Sequence, residues 1–150
     1  MSRVLEICPE LMIDSASAGG RTFYDLGSGT GRCIFLVSLL YNFRNVVGVE
    51  LLRGLHSESE RILRRFREEE APLLKAPFPT QISLVRASFL DHDWSDADVV
   101  FANSTCFNDA VMEMLAKKAE FLRPGSIVIT ITKSLESKNF EVRLALSFTR

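Results

Sequence analysis

The sequence predicts an α/β fold, doubly wound around a mainly parallel sheet, in one domain that spans residues 1–150. Strand-like and helix-like segments alternate along the chain, as they do when helices cover both faces of a parallel sheet. A loop with glycine at every second position, from Gly27 to Gly31, leads out of the first strand-like segment. A second short apolar segment ends on a carboxylate, Glu50. At 150 residues the chain is long enough to bury one core.

Each element rests on its own pattern. Strands are expected where short apolar or β-branched runs occur, and helices where apolar residues recur at a helical period. Proline and glycine mark the breaks between them. The expected strands are Thr22–Leu26, Asn45–Val49, Gln81–Ala87, Ala97–Ala102 and Ser126–Thr132, the last of them buried on both faces. The expected helices are Arg3–Ile13, Arg32–Phe43, Leu51–Glu70 and a stripe from Val111 to Leu122, with a loop at Ala71–Thr80.

The end of the sequence carries a different pattern. Large apolar side chains alternate with polar or small ones over Phe140–Phe148, which is typical of a strand with one wet face. Its apolar side chains need a cover and its backbone edge needs a partner, so we expect one C-terminal strand to be missing. An unpaired strand edge is a site for association. The sequence therefore predicts self-association through this C-terminal edge.

Composition excludes several classes of protein. The chain is 47% apolar and 25% charged, which is ordinary for a globular domain. No apolar run reaches the ~20 residues that span a bilayer, so no membrane partner is expected. The formal net charge of −1 predicts no strong intrinsic binding to nucleic acid. Three cysteines without metal-ligand spacing favour a reducing compartment, cytosolic or nuclear.

The glycine loop carries the first chemical signal. It consists of a carboxylate followed by three glycines with small polar residues between them: Asp25, Gly27, Ser28, Gly29, Thr30 and Gly31. The dinucleotide fingerprint is G-x-G-x-x-G and places a pyrophosphate on a helix N-terminus. A carboxylate before a G-x-G-x-G loop suits a cationic ligand instead. The loop therefore predicts S-adenosylmethionine, which has an ammonium, a sulfonium and no phosphate; a turn without ligand is the alternative, and an oxidoreductase is disfavoured.

The carboxylate at the end of the second strand is the next candidate. In nucleotide-binding α/β folds, an acidic residue about 20 residues past the glycine loop binds the ribose hydroxyls. Glu50 lies near that offset, and Leu51 follows it. We expect both to contact the cofactor, although a first-turn helix carboxylate is the plainer interpretation.

Two later strand ends supply the remaining candidates. Ligands in open α/β sheets lie beyond the carboxyl ends of the strands. Ser88 and Phe89 follow the third strand and could contact adenine, although Phe89 could equally be a core residue. Asn103 follows the fourth strand and could orient an amine without carrying charge. Asn108 is expected to cap the next helix.

Other polar clusters are weaker. Asp91-His92-Asp93 has the residue types of a metal site, but adjacent side chains in a loop rarely converge, so no metal is predicted. His56 lies in a strongly charged segment and is expected to be solvated.

Four motifs in one order and spacing resemble the histone-lysine methyltransferases of the disruptor-of-telomeric-silencing family. They are Phe23-Tyr-Asp25-Leu-Gly27-Ser-Gly29-Thr-Gly31, Val47-Gly-Val49-Glu50, Ser88-Phe89-Leu90 and Val100-Phe-Ala-Asn103-Ser-Thr-Cys-Phe107. The first two are shared by many class I methyltransferases, and the last points to this family. The resemblance runs from about Leu5 to Thr132.

The resemblance implies a Rossmann-like class I methyltransferase that uses S-adenosylmethionine to methylate a histone lysine on the nucleosome, in the nucleus. Asp25 and Gly27 would face the methionine part, and Glu50 the ribose. Asn103 would lie beside the point of methyl transfer, and Phe107 would wall the lysine channel. Asn103 and Phe107 are therefore the expected catalytic residues.

Three departures from the family pattern bear on function. Ser88 replaces an aspartate, and Ser104-Thr105-Cys106 replaces Asn-Phe-Ala, which makes the channel less aromatic. Only about twenty residues precede the first strand, so the family's N-terminal segment is expected to be missing. A methyltransferase for another protein or a small molecule, and an inactive cofactor-binding module, remain the alternatives.

Overall fold

The computed structural model describes residues 20–41, 43–73 and 80–141. The helix predicted at Arg3–Ile13 lies outside these residues. Of the strand predicted at Phe140–Phe148, only Phe140 and Glu141 are described, and neither has strand conformation. The predictions that depend on this strand, a missing neighbour and self-association through its edge, stay predictions.

The described chain forms a five-stranded sheet in the order β3-β2-β1-β4-β5, and every neighbouring pair is parallel. The predicted doubly wound α/β fold is therefore confirmed. The strands are β1 (Thr22–Leu26), β2 (Asn45–Glu50), β3 (Gln81–Arg86), β4 (Val99–Ala102) and β5 (Ile127–Thr130). The α-helices are α1 (Arg32–Leu40), α2 (Arg53–Arg65) and α3 (Asp109–Ala119).

The two helices that flank β2 have other bounds than the sequence predicts. α1 ends at Leu40 because Tyr41 is extended. The predicted helix from Leu51 begins two residues late, since Leu52 is extended and donates its backbone N–H to the Glu50 carboxylate at 2.7 Å. The helix then continues beyond Arg65 as a π-helical turn at Phe66–Glu70.

Two apolar clusters cover the two faces of the sheet. Successive residues of a strand point to opposite faces, and β1 shows this directly: Phe23 belongs to one cluster and Tyr24 to the other. The Phe23 cluster includes Ile34 and Val37 of α1. The Tyr24 cluster includes Leu115 of α3. The sheet therefore has helices on both faces, and its strand ends face one common edge.

The prediction that Ser126–Thr132 is buried on both faces is wrong. Every residue of β5 is partly exposed. Within the described residues, β5 has a strand partner on one side, β4, and forms the end of the sheet. A strand in that position keeps some of its surface in contact with solvent. In the same residues, no helix has the length and apolarity needed to cross a bilayer.

The prediction that His56 is solvated is also wrong. It is 8% exposed, and its Nδ1 lies 3.6 Å from Oε2 of Glu60. Its Nε2 is buried without a hydrogen-bond partner in the described structure. The charge of α2 lies on its outer face, and His56 lies on the inner one. Local composition could not show which side of the helix the imidazole occupies.

Replacing His56 with leucine is expected to stabilise the fold by about 1 kcal/mol, because it removes a buried polar atom that has no partner and keeps most of the volume. His56→Ala, which leaves a cavity, is the matched control and is expected to destabilise. Urea unfolding of the three proteins measures both differences. Equal losses in the two variants would mean that Nε2 is hydrogen-bonded in solution.

Candidate functional site

The predicted site residues lie at one edge of the sheet. β1 and β4 are neighbours, with Leu26 paired to Ala102, yet the chain goes from β1 to β2 on the other side. This reversal of strand order is the switch point at which open α/β sheets bind ligands. The glycine loop begins at the end of β1, and Asn103 lies at the end of β4.

The glycine loop is held against the end of β2 by backbone hydrogen bonds. The carbonyl of Val49 accepts from Gly27 at 2.8 Å and from Ser28 at 3.1 Å. Gly27 has a φ of 79° and Gly31 a φ of 83°, a region that L side chains rarely adopt. Glycine at these positions allows the chain to turn from β1 into α1 within a few residues.

Glu50 fixes the loop from the other side. It is 6% exposed, and each of its carboxylate oxygens accepts one backbone N–H: Oε2 from Gly29 at 2.8 Å and Oε1 from Leu52 at 2.7 Å. A carboxylate has about four lone-pair positions, so each oxygen keeps the capacity for one further donor. The sequence anticipated the position of Glu50 but not its bonds to the loop.

Asp25 is buried at the end of β1, with 3% of its surface exposed. Three effects together raise the pKa of its carboxyl group to about 7. Burial is the largest and raises the pKa, a hydrogen bond from Cys33 lowers it, and the negative charge of Glu50 raises it. Burial also raises the pKa of the Cys33 thiol, so the thiol stays protonated and acts as the donor. Asp25 is thus a carboxyl group that changes charge near neutral pH.

A pair of phenylalanines in contact with each other reaches the glycine loop through Phe107. The rings of Phe89 and Phe107 have centroids 5.2 Å apart. A Cβ placed on Gly27 would lie 3.7 Å from Cζ of Phe107. Trp94, which the sequence pattern did not single out, donates from its indole Nε1 to the Phe89 carbonyl at 2.8 Å. The fold thus brings two candidates from different strand ends into contact, and the buried Trp94 supports one of them.

Asn103 is exposed at the end of β4, and its carboxamide oxygen accepts a hydrogen bond from the Thr105 hydroxyl at 2.7 Å. One turn of 3-10 helix, Ser104–Cys106, separates it from Phe107. Asn108 caps α3 as predicted, since its side-chain oxygen accepts from the Val111 N–H at 2.9 Å.

The remaining candidates from the sequence are Ser88, Leu51, Thr30 and Ser28. The Ser88 hydroxyl accepts from the Leu90 N–H at 3.1 Å and so points back into its own loop. Leu51 is 63% exposed, and Thr30 is half-buried. Ser28 is buried, and its hydroxyl has no hydrogen-bond partner in the described structure.

The acidic and imidazole groups after β3 have other contacts. Asp93 accepts from the Ser95 N–H at 3.0 Å, and the His92 ring lies 6.1 Å from that of Tyr24. Over residues 20–41, 43–73 and 80–141, no group of three or more His, Cys, Asp or Glu residues could hold a metal ion.

Thr132 is a site neighbour that sequence reasoning missed, and it contacts Thr105, which the sequence singled out only as a departure from the family pattern. Their hydroxyl oxygens lie 3.1 Å apart. Thr105 follows β4 by three residues and Thr132 follows β5 by two, so both lie at the edge where Asn103 lies. The rule that parallel strands end at one edge could have found them, but it gives no reason to choose these hydroxyls over others.

Known proteins resemble this chain in sequence. The H3 lysine-79 specific histone-lysine N-methyltransferase of Dictyostelium discoideum is 29% identical over 116 residues, which are 73% of this chain and 6% of that protein. The enzyme of the same name from Eremothecium gossypii is 28% identical over 128 residues, 82% of this chain and 22% of that one. A protein-lysine N-methyltransferase of Saccharolobus islandicus is 35% identical over 121 residues, 80% of this chain and 63% of that one. The chain thus spans less than two thirds of each of these relatives.

Solved structures resemble it in fold. An RNA methyltransferase from Salinibacter ruber in complex with S-adenosyl-L-homocysteine has a TM-score of 0.62 at 24% identity, covering 86% of this chain and 71% of that one. A geranyl diphosphate C-methyltransferase from Streptomyces coelicolor A3(2) has a TM-score of 0.59 at 20% identity, covering 86% and 45%. The fold is therefore the Rossmann-like fold of class I methyltransferases. A family model described as "Histone methylation protein DOT1" matches residues 6–146, and the chain therefore belongs to the DOT1 family of histone methylation proteins.

Proposed function

We propose that this chain binds S-adenosylmethionine and directs its methyl group to a lysine side chain of a protein, with a histone on the nucleosome as the first acceptor to test. One observation carries the proposal: a glycine loop braced by the buried Glu50 lies beside the Phe89–Phe107 ring pair. The names of the relatives support the acceptor class, because two are specific for H3 lysine-79 and one acts on protein lysine. The nuclear location follows from a histone acceptor.

The residues present fit this cofactor. Gly27 leaves a gap in front of Phe107 that a side chain would fill. Asp25 offers a negative charge to an ammonium group, and Glu50 keeps lone pairs for the ribose hydroxyls. Phe89 offers an aromatic face for adenine, with Ser88 next to it. We assign Gly27, Ser28, Gly29, Thr30 and Gly31 to the loop around the methionine part and Leu51 to the adenosine side.

Bound in this way, S-adenosylmethionine supplies an electrophilic methyl group. The chain's own contribution is to hold a neutral amine in line and to exclude water, so positioning matters more than a strong base. Asn103 is uncharged and exposed, and its carboxamide can contact an amine without attracting its protonated form. Phe107, four residues further along the chain, and Phe89 form a pair of apolar rings. These are the roles that we propose for the two catalytic candidates.

Titration with S-adenosylhomocysteine and a radiolabelled methyl-transfer assay test the proposal. We expect S-adenosylhomocysteine to bind and a nicotinamide cofactor not to bind. Labelled methyl groups should appear on nucleosomes or on free histones, and Asn103→Ala should reduce the transfer. Cofactor binding without transfer to any protein would favour an inactive binding module. Transfer to a small molecule alone would contradict the acceptor class.

Glu50→Gln is expected to weaken S-adenosylhomocysteine binding by about 1.5–3 kcal/mol, because charge-assisted hydrogen bonds are lost. Two backbone N–H groups, those of Gly29 and Leu52, now donate to the carboxylate. The NH2 group of glutamine is a donor, so one of these two N–H groups would lose its acceptor. Glu58→Gln, which changes an exposed carboxylate of α2 paired with Arg61, is the matched control.

A ribose role and a purely structural role of Glu50 are separable. If Glu50 binds the ribose hydroxyls, Glu50→Gln should weaken the binding of an analogue that lacks them less than it weakens the binding of S-adenosylhomocysteine. Calorimetry with both ligands and both proteins completes a thermodynamic cycle. If the variant loses the same free energy for the natural ligand and the analogue, Glu50 acts on the loop alone.

We also propose that residues 1–150 form one methyltransferase domain, because the family match runs over 6–146 and every described strand joins one sheet.

The replacement of the family's aromatic segment by Ser104-Thr105-Cys106 favours an acceptor on another protein as the second candidate. A methyl-transfer assay on a whole-protein mixture without histones distinguishes the two.

A further inference from the structure

The segment after β5 is joined to the connection between β4 and α3 by a series of contacts. Each of residues 131–133 makes at least one of them, and two of the contacts use side-chain hydroxyls. The contacts are Ile131 N–H to the Ala102 carbonyl at 3.2 Å, Ser104 hydroxyl to the Ile131 carbonyl, Thr132 to Thr105 at 3.1 Å, and Lys133 Nζ to Asp109 Oδ1 at 2.6 Å. This segment is therefore fixed beside the carboxamide of Asn103.

The hydroxyl groups at this point form a directed chain. The Thr105 hydroxyl donates to Oδ1 of Asn103 at 2.7 Å. A hydroxyl has one proton to donate, so in the contact of 3.1 Å between the two threonines the donor is Thr132. The chain thus runs from Thr132 through Thr105 to the carboxamide oxygen of Asn103, and it sets which way that carboxamide points.

The backbone at Thr132 is unusual. Its φ is 79°, and it is the one non-glycine residue with a positive φ among the residues that the structure describes. A β-branched residue in this region is strained, and glycine or asparagine would fit with less cost. The requirements of the turn do not explain a threonine here, whereas a hydroxyl that reaches Thr105 does.

We propose that Thr105 and Thr132 are positioning residues for methyl transfer, which hold the carboxamide of Asn103 in the orientation that receives the acceptor amine. The inference rests on the proposed function. With one lone pair of Oδ1 taken by Thr105, the second remains for an N–H of a neutral amine. An amine that donates to Asn103 keeps its own lone pair free for the methyl group. Neither threonine contacts the reacting atoms in this scheme.

Two pairs of variants separate the hydroxyl from the rest of each side chain. Thr105→Val and Thr132→Gly remove the hydroxyl, whereas Thr105→Ser and Thr132→Ser keep it. We expect kcat for transfer to histones to fall about 2- to 10-fold in the first two, as expected for one hydrogen bond. The serine variants should retain wild-type kcat, and KM for S-adenosylmethionine should not change in any of the four.

At Thr132, thermal stability and kcat should respond differently to the loss of the side chain. Thr132→Gly relieves backbone strain, so its melting temperature should not fall although its kcat does. Because the two threonines act in series, the double variant Thr105→Val/Thr132→Gly should be no slower than Thr105→Val alone. Thr80→Val is the matched control: it removes a hydroxyl that donates to the Phe43 carbonyl at 2.7 Å, at the amino end of the sheet. It should leave kcat unchanged.

The side-chain amide signals of Asn103 test the contact without any acceptor. Nitrogen-15 proton correlation spectra show these signals. They are assigned to Asn103 because they disappear in Asn103→Asp, which has no side-chain amide. We expect them to move in Thr105→Val and Thr132→Gly and to stay in the two serine variants and in Thr80→Val.

The outcomes are distinct. Unmoved Asn103 signals in Thr105→Val would overturn the proposed contact whether or not the chain methylates anything. Moved signals with unchanged kcat would overturn the positioning role and leave the proposed function intact. If the Asn103 signals move in the two variants as expected, but the wild-type chain binds the cofactor and transfers no methyl group to any protein, the proposed function is overturned, and the positioning role with it. Reduced kcat in all four threonine variants, serines included, would mean that the hydroxyls are not what matters.

Discussion

Asp25→Asn is expected to stabilise the fold at about pH 8 and to weaken cofactor binding at the same pH, two effects of opposite sign from one neutral substitution. The carboxyl group is 3% exposed, and burial raises its pKa to about 7. Above that pH the wild type carries a buried charge, which asparagine of nearly the same shape does not. The same charge is the proposed partner of the cofactor's ammonium group.

The sign of the pH dependence follows from the proton count. The folded-state pKa lies above the ordinary value of 3.8, so between the two values the folded chain binds more protons than the unfolded one. Stability therefore falls as pH rises through this window. Relative to Asp25→Asn, the wild type should lose on the order of a few kcal/mol between about pH 4 and pH 7, and the two should converge below about pH 4.

Urea unfolding of both proteins across this range measures the difference. Asp93→Asn is the control, because Asp93 is exposed and its hydrogen bonds with Ser95 lower its pKa, so its removal should give no gain at alkaline pH. A wild-type chain whose stability runs parallel to that of Asp25→Asn over the whole range would show that the buried carboxyl group is not charged near neutral pH.

Cofactor binding should show the complementary trend. S-adenosylhomocysteine affinity of the wild type should rise with pH as Asp25 ionises, and binding near pH 7 should release a proton. Calorimetry in buffers of different ionisation enthalpy measures that proton directly. Asp25→Asn should bind more weakly by about 1–3 kcal/mol at alkaline pH and release no such proton. Equal affinities in the two proteins would remove Asp25 from the proposed cofactor contacts.

The regions of the fold that the sequence predicts well depend on short-range patterns. The short strand-like segment Thr22–Leu26 and the glycines after it predict a strand and a turn, and the structure has both. The position of Glu50 at a strand end follows from the same local pattern. Its role as an acceptor for the glycine loop does not, because that bond joins Gly29 to a residue on another strand.

The sequence predictions fail where tertiary contacts determine the position of a residue. His56 lies among charged residues in the sequence, yet the packing of α2 places it inside. The start of α2 is displaced because the Glu50 side chain binds the N–H of Leu52. The contact between Phe89 and Phe107 depends on strand order, which alternating segments alone do not specify. The left-handed Thr132 breaks a residue-type preference, so no propensity could have indicated it.

Gly31→Ala is expected to destabilise the fold by about 2–4 kcal/mol, because two costs act at one position. The φ of 83° is unfavourable for any L side chain. The new Cβ would also lie 2.9 Å from Cε2 of Phe35 and 3.5 Å from Cβ of Ser59. Phe35 packs against the core cluster on its face of the sheet, with its ring centroid 5.7 Å from that of Phe66, so it has little room to move.

Gly125→Ala separates the two costs. Gly125 has a φ of 89°, and no atom lies within 4 Å of a Cβ placed there. It should therefore lose only the conformational contribution, about 1–2 kcal/mol. The excess loss in Gly31→Ala measures the clash with Phe35, and Phe35→Leu should recover some of it in the double variant by making space.

Cofactor binding then distinguishes stability from function at this loop. Gly29 has a φ of 56°, and a Cβ placed there would meet no atom within 4 Å. Gly29→Ala should resemble Gly125→Ala in urea unfolding, yet weaken S-adenosylhomocysteine binding as Gly125→Ala does not, since only Gly29 lies in the proposed cofactor loop. Equal losses of stability in Gly31→Ala and Gly125→Ala would show that Phe35 moves away from the new Cβ without loss of stability. Unchanged binding by Gly29→Ala would place the cofactor away from the glycine loop.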